Sequence, residues 1–188
     1  MALDTIAGWS ALLAAVATVV GAVFLVLFFS RGGIWGLLND VASIVLMLAT
    51  IPVALVIASF EDEPPLPSLF AWISAVIGIA GMVIAALAQA LLVGRIRTYR
   101  ELLRWTLGGG AIVGVWYVLI GSFGFRAVGG PLAPLAIVSG LGFIAIGYGF
   151  AVGNERHPLS VGGGIVLFVA STAFLAWIGL RLISGDLL

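Results

Sequence analysis

Long runs of uncharged, mostly apolar residues dominate the chain: Thr5 to Ser30, Val41 to Phe60, Pro64 to Gly94, Trp105 to Phe125, Ala127 to Asn154 and His157 to Leu180. A helix needs roughly 20 apolar residues to cross the ~30 Å hydrocarbon core of a bilayer, and each run reaches that length. The pattern predicts an all-α integral membrane protein. Residues 1–188 then form a single transmembrane domain, a bundle of six helices with spans at about 9–29, 40–60, 69–93, 106–123, 132–152 and 159–183.

Polar residues between the runs set the expected helix ends. Arg31, Gly32 and Gly33 close the first span. Asn39 or Asp40 is expected to cap the second, and Pro52 to kink it by removing one ladder bond. Three acids and three prolines between Glu61 and Ser68 argue against helix there. Arg95 to Arg104 is the one strongly charged stretch. Arg97, Arg100 and Arg104 stand at helical spacing, so the segment is expected to lie along the membrane surface, where an anionic leaflet favours each arginine by ~1 kcal/mol.

Composition narrows the class further. Hydrophobic residues make up 63% and charged residues 9%, against roughly 45–50% and 25% in soluble domains, which excludes a water-soluble fold. A net charge of zero gives no reason to expect a nucleic-acid partner. No cysteine is present, which removes disulfides, thiolate metal sites and cysteine nucleophiles. No lysine is present either, so a retinal or pyridoxal Schiff base cannot form. Neither a cofactor nor a metal is expected.

The eight basic residues are unevenly divided. If all six runs cross, Arg31, Arg95, Arg97, Arg100, Arg104 and Arg156 share one face, and only Arg126 and Arg181 lie on the other. The positive-inside bias then predicts a multi-pass protein of the cell membrane with both termini extracytoplasmic. The first run follows Asp4 with no basic residue before it, unlike a signal peptide, and is kept as a span. Trp9, Trp35, Trp72, Trp105 and Trp177 fall near span ends, as an interfacial aromatic belt requires; Trp116 is deep.

Glycine, with 26 residues, is about twice its ~7% average usage. Ser74, Gly78, Gly81, Ala85 and Ala88 share one face of span three; Gly110, Gly114 and Gly121 do so on span four, and Ala145, Gly149 and Gly153 on span five. Such faces allow close helix contact in lipid, within the bundle or in a homo-oligomer. The runs Gly108–Gly110 and Gly162–Gly164 open spans on the arginine-rich side, either as tight helix entries or as unwound backbone lining a cavity. A faint internal repeat pairs Trp9-Ser10, Arg31 and Pro65-Leu66 with Trp105-Thr106, Arg126 and Pro158-Leu159. Two three-span units related in this way would be inverted.

Candidate chemistry is sparse. Asp40 is the one acid near a span interior, where it could bind an ion, cap a helix or pair with Arg31, and Gln89 lies on the small-residue face of span three as an interhelical hydrogen-bond contact or ligand. Trp116, Tyr117 and Tyr148 are the aromatic residues deep enough to line a pocket. Arg95, Arg97, Arg100 and Arg104 form a lipid-facing basic segment. His157, the single histidine, is read as an interfacial loop residue. No nucleophile, base and acid stand in a catalytic pattern, so no enzyme is expected. The general look resembles small multi-span proteins of bacterial inner membranes, which carries no activity. Two function classes follow: a non-catalytic accessory, scaffold or lipid- or pigment-associated module, partnered by membrane lipids or other membrane subunits; and a small secondary transporter or channel built from inverted three-helix repeats.

Overall fold

The computed structural model describes residues 3–60, 65–123, 125–153 and 157–185. Six helices account for nearly all of them: α1 (Leu3–Arg31), α2 (Ile34–Ser59), α3 (Pro65–Val93), α4 (Tyr99–Ser122), α5 (Leu132–Val152) and α6 (Pro158–Ser184). A 3₁₀ turn, Arg126–Val128, precedes α5. Each helix contains a stretch apolar enough to cross a membrane, and the protein is a multi-pass membrane protein with an all-α, six-helix bundle.

The helices form a closed ring in chain order, each packed on its sequence neighbours, with α6 returning to α1. Neighbours run antiparallel, because partner numbers fall on one helix as they rise on the next: Gly78 meets Trp116 and Gly81 meets Gly109, while Gly114 meets Gly140 and Gly121 meets Ala133. One end of the ring carries the described chain ends and Arg126 and Arg181. The other carries the α1–α2 and α3–α4 connections, with Arg31, Arg95, Arg97, Arg100 and Arg104. Arg156 and the Glu61–Asp62–Glu63 loop lie outside the described residues.

On α1 residue size, rather than polarity, separates inside from outside. The buried face of α1 consists of Ala7, Gly8, Ala11, Ala14, Ala15, Ala17 and Gly21, whereas Val16, Val26 and Phe29 point outward. Large apolar side chains also face outward elsewhere around the ring, with Val76, Leu141, Ile165 and Leu180 exposed. A surface this apolar has no counterpart on water-soluble monomers and fits lipid. Trp9, Trp72 and Trp177 are outward near the terminal end, and Trp105 is outward near the arginine-rich end; Trp35 there packs on Phe24.

Four sequence expectations about helix ends require correction. Gly32 and Gly33, at φ +65° and +69°, reverse the chain in the left-handed region open to glycine. Helix α2 therefore starts at Ile34, and neither Asn39 nor Asp40 is its cap. Helix α3 starts at Pro65, ahead of Leu69, because proline lacks only an N–H that the first turn leaves unpaired anyway. Helix α4 starts at Tyr99, so Arg100 and Arg104 belong to its first two turns, while Arg97 precedes it. Gly108–Gly110 and Gly162–Gly164 are regular helix, not unwound backbone. Pro52 lies inside helix α2.

Candidate functional site

Close backbone contact between neighbours comes from glycine. A methyl group added at Gly109 would stand 2.7 Å from the Ala85 nitrogen and 2.9 Å from the Gly81 carbonyl oxygen. Gly114 faces Gly140, Gly142 faces Gly163 and Gly8 faces Gly179 in the same way, so four of the six seams are joined by glycine pairs. In each glycine triplet the middle residue makes the contact; Gly108, Gly162 and Gly164 look into open space. The expected faces on α3 and α5 are thus used, Gly78 and Gly81 against α4 and Gly149 against Ser160 of α6. On α4 it is Gly109, not Gly110, that approaches a neighbour's backbone.

With the seams this narrow, bulky side chains fill the middle. Tyr117 of α4 is 2% exposed and meets Phe143 of α5 in a stacked pair at 6.0 Å and Phe174 of α6 edge-on at 5.3 Å. Helices α4 and α6 are not ring neighbours, so the Tyr117–Phe174 contact crosses the interior. Trp116, fully buried, lies 4.7 Å from the Tyr117 ring and fits the space left by the absent side chain of Gly78. Met82, Val113 and Ile120 complete this packed layer. Edge and offset aromatic pairs of this kind add about 0.5–1.5 kcal/mol each beyond area burial.

The remaining candidates do not converge on Tyr117. Tyr148 is 59% exposed on the outer surface of α5; its helical position turns it away from the α4 and α6 seams, so it is not a pocket residue. Gln89 is buried near the arginine-rich end of α3, and its Oε1 has no hydrogen-bond partner, so that oxygen does not make the expected interhelical bond. Asp40 lies six residues after the start of α2, half-buried, beside the Asn39 side chain that hydrogen-bonds it. It forms no ion pair with Arg31. The Trp116 Nε1 and the Ser171 and Thr172 hydroxyls are likewise buried without partners. The two hydroxyls escaped the sequence reading, although an adjacent Ser-Thr pair in the middle of an apolar span was a visible signal.

Among the described residues, half of the charged side chains gather where α3 passes into α4. Helix α3 ends with Gly94 donating to the Ala90 carbonyl and Ile96 to the Leu91 carbonyl, and Arg95 turns the chain at φ +55°. The Thr98 backbone N–H donates to the Glu101 carboxylate at 2.8 Å and its hydroxyl donates at 3.1 Å, the reach-back half of a capping box that starts α4. Arg97 pairs with Glu101 at 3.7 Å. Below this turn opens a cleft of about 480 Å³, lined by Ile84, Leu87, Ala88, Leu91, Leu102 and Trp105, with Arg97 and Glu101 at its mouth.

His157 stands in the bend before α6 and caps that helix: its Nδ1 accepts from the Leu159 N–H at 3.3 Å. Among the described residues no three His, Asp or Glu side chains gather as metal ligands would. No protein-family model, curated protein or solved structure matches the chain.

Proposed function

We propose that the protein is a non-catalytic membrane module, a rigid six-helix ring that acts through its outer surface by associating with lipids or with other membrane subunits. One observation carries this reading. The Tyr117–Phe174 contact and the Trp116 and Phe143 rings close the interior between α4, α5 and α6, and the glycine seams leave little freedom to part the helices around them. A transporter needs a site near the bilayer midplane that opens to each side in turn. Asp40, Gln89, Tyr117 and Tyr148 offer no common one. We further place the arginine-rich end in the cytoplasm and both termini outside, in line with the positive-inside bias.

A second reading, a small secondary transporter, has one observation in its favour. Trp9 and Trp105 both stand six residues after the first residues of their helices, Leu3 and Tyr99, and Pro65 and Pro158 both open theirs. The halves α1–α3 and α4–α6 thus share landmarks at matching depths, as inverted repeats would.

Flux separates the two. Proteoliposomes carrying the wild type or Asp40→Asn are compared with empty vesicles for proton, alkali-cation and small neutral-solute permeability. The module reading expects all three preparations to agree. A protein-dependent flux that Asp40→Asn abolishes would refute it in favour of coupled transport.

A further inference from the structure

We infer that the cleft between α3 and α4 is a seat for an anionic phospholipid of the leaflet at the arginine-rich end, one acyl chain lying on its apolar wall and the phosphate held at its mouth. The inference deepens the module reading by naming a lipid, and it rests on that reading's placement of the outer surface in contact with the bilayer.

The wall has the shape and chemistry for a chain. Ile84, Leu87, Ala88 and Leu91 recur at the spacing of one helix face over the last turns of α3. Leu102 and Trp105 supply the opposite side from the first turns of α4. At about 480 Å³ the space lies within the usual range of small-ligand sites. It opens to the surface that faces lipid, since Leu87 and Trp105 are both exposed.

The mouth has the charge for a phosphate. Arg97 lines the mouth, and Arg95, Arg100 and Arg104 are exposed within the same connection and the first turns of α4, with Glu101 the one acid among them. Glu101 is already engaged by Arg97 and by the two Thr98 donors, so it does not offset the other three arginines. Guanidinium forks suit phosphate oxygens better than a point charge would. Trp105, at the depth where tryptophan favours the headgroup boundary, marks where the phosphate should lie. A zwitterionic headgroup would bring its own cation among these arginines, which sets the preference for a net negative lipid. The capped turn holds the mouth in place, because α3 ends and α4 begins within the same few residues.

The test uses the whole protein reconstituted in vesicles of phosphatidylglycerol and phosphatidylcholine, released into the gas phase, with bound lipid counted by native mass spectrometry. The wild type should retain one phosphatidylglycerol in preference to phosphatidylcholine. The triple variant Arg97→Gln, Arg100→Gln, Arg104→Gln should lose that preference, by up to about a hundredfold at roughly fivefold per arginine near an anionic surface. Arg31→Gln, an exposed arginine at the same end outside the cleft, should keep it. Leu91→Trp, which fills the wall and leaves every charge, should lose the lipid as well, and guards against a triple variant that fails to fold by circular dichroism. Equal retention of both lipids by the wild type, or a preference that survives both the triple variant and Leu91→Trp, would overturn the site. Flux from the same vesicles would refute the module reading and leave the lipid seat standing; equal retention without flux would do the reverse.

Discussion

Two neighbouring glycines allow the seam geometry to be measured against its own control. Gly108→Ala and Gly109→Ala add the same methyl group to the same turn of α4. Both gain the same helix propensity, about 1 kcal/mol over glycine, so that contribution cancels in the difference between them. Gly108 has nothing within 4 Å of the added atom. At Gly109 the methyl would meet the Ala85 nitrogen at 2.7 Å, where ordinary contact begins at 3.4 Å. The neighbour is backbone and cannot rotate away, so α3 and α4 must separate by about 0.7 Å or tilt. Overpacking of this size costs about 1–3 kcal/mol. At roughly 2–4 °C per kcal/mol for a chain of this length, Gly109→Ala should melt about 2–12 °C below Gly108→Ala. The assay is thermal unfolding of both variants in one detergent at one scan rate, followed by helical circular dichroism. Equal midpoints would mean that α3 and α4 do not touch at backbone distance, and with that the glycine-seam account of the ring fails.

The aromatic layer and the membrane orientation give two further outcomes. Tyr117→Ala should cost about 3–5 kcal/mol by opening a cavity among buried rings, whereas Tyr148→Ala, at an exposed position, should stay within about 0.5 kcal/mol of wild type; similar losses at both would place Tyr148 in the interior after all. Because the natural chain has no cysteine, single cysteines at Ser68 and Thr98 can report topology. An impermeant thiol reagent should reach Ser68→Cys from outside and Thr98→Cys only from the cytoplasmic side, and labelling of both from one side would remove the up-and-down ring.

The sequence by itself determined the number of helices, their approximate extents and their environment. Six uncharged runs long enough to span a bilayer admit few other folds, because a backbone in lipid must satisfy its hydrogen bonds within each segment. Parts of the packing were legible too: Gly78 and Gly81 stand at helical spacing, and they do meet α4. Local chemistry at the ends was less legible, since Gly32-Gly33 and Pro65 move helix starts through positive φ and a dispensable N–H, which hydropathy does not register. That shift of a few residues is what turned Asp40 from an expected cap into a half-buried residue inside α2.

For α1, α2 and α6 only the tertiary structure decided which face turns inward. In a chain apolar on every side, the usual contrast between hydrophobic and polar faces vanishes. The alanine and glycine face of α1 is buried simply because small side chains let another backbone come close. The same structure decided that the outward-facing Tyr148 and the central Tyr117 have different surroundings, and that Tyr117 reaches Phe174 across the ring. It also brought the last turns of α3 beside the first turns of α4, opening an apolar cleft lined at one edge by Arg97 and Glu101. Such a juxtaposition depends on how two helices pack after the chain has turned, and no spacing along the sequence encodes that distance.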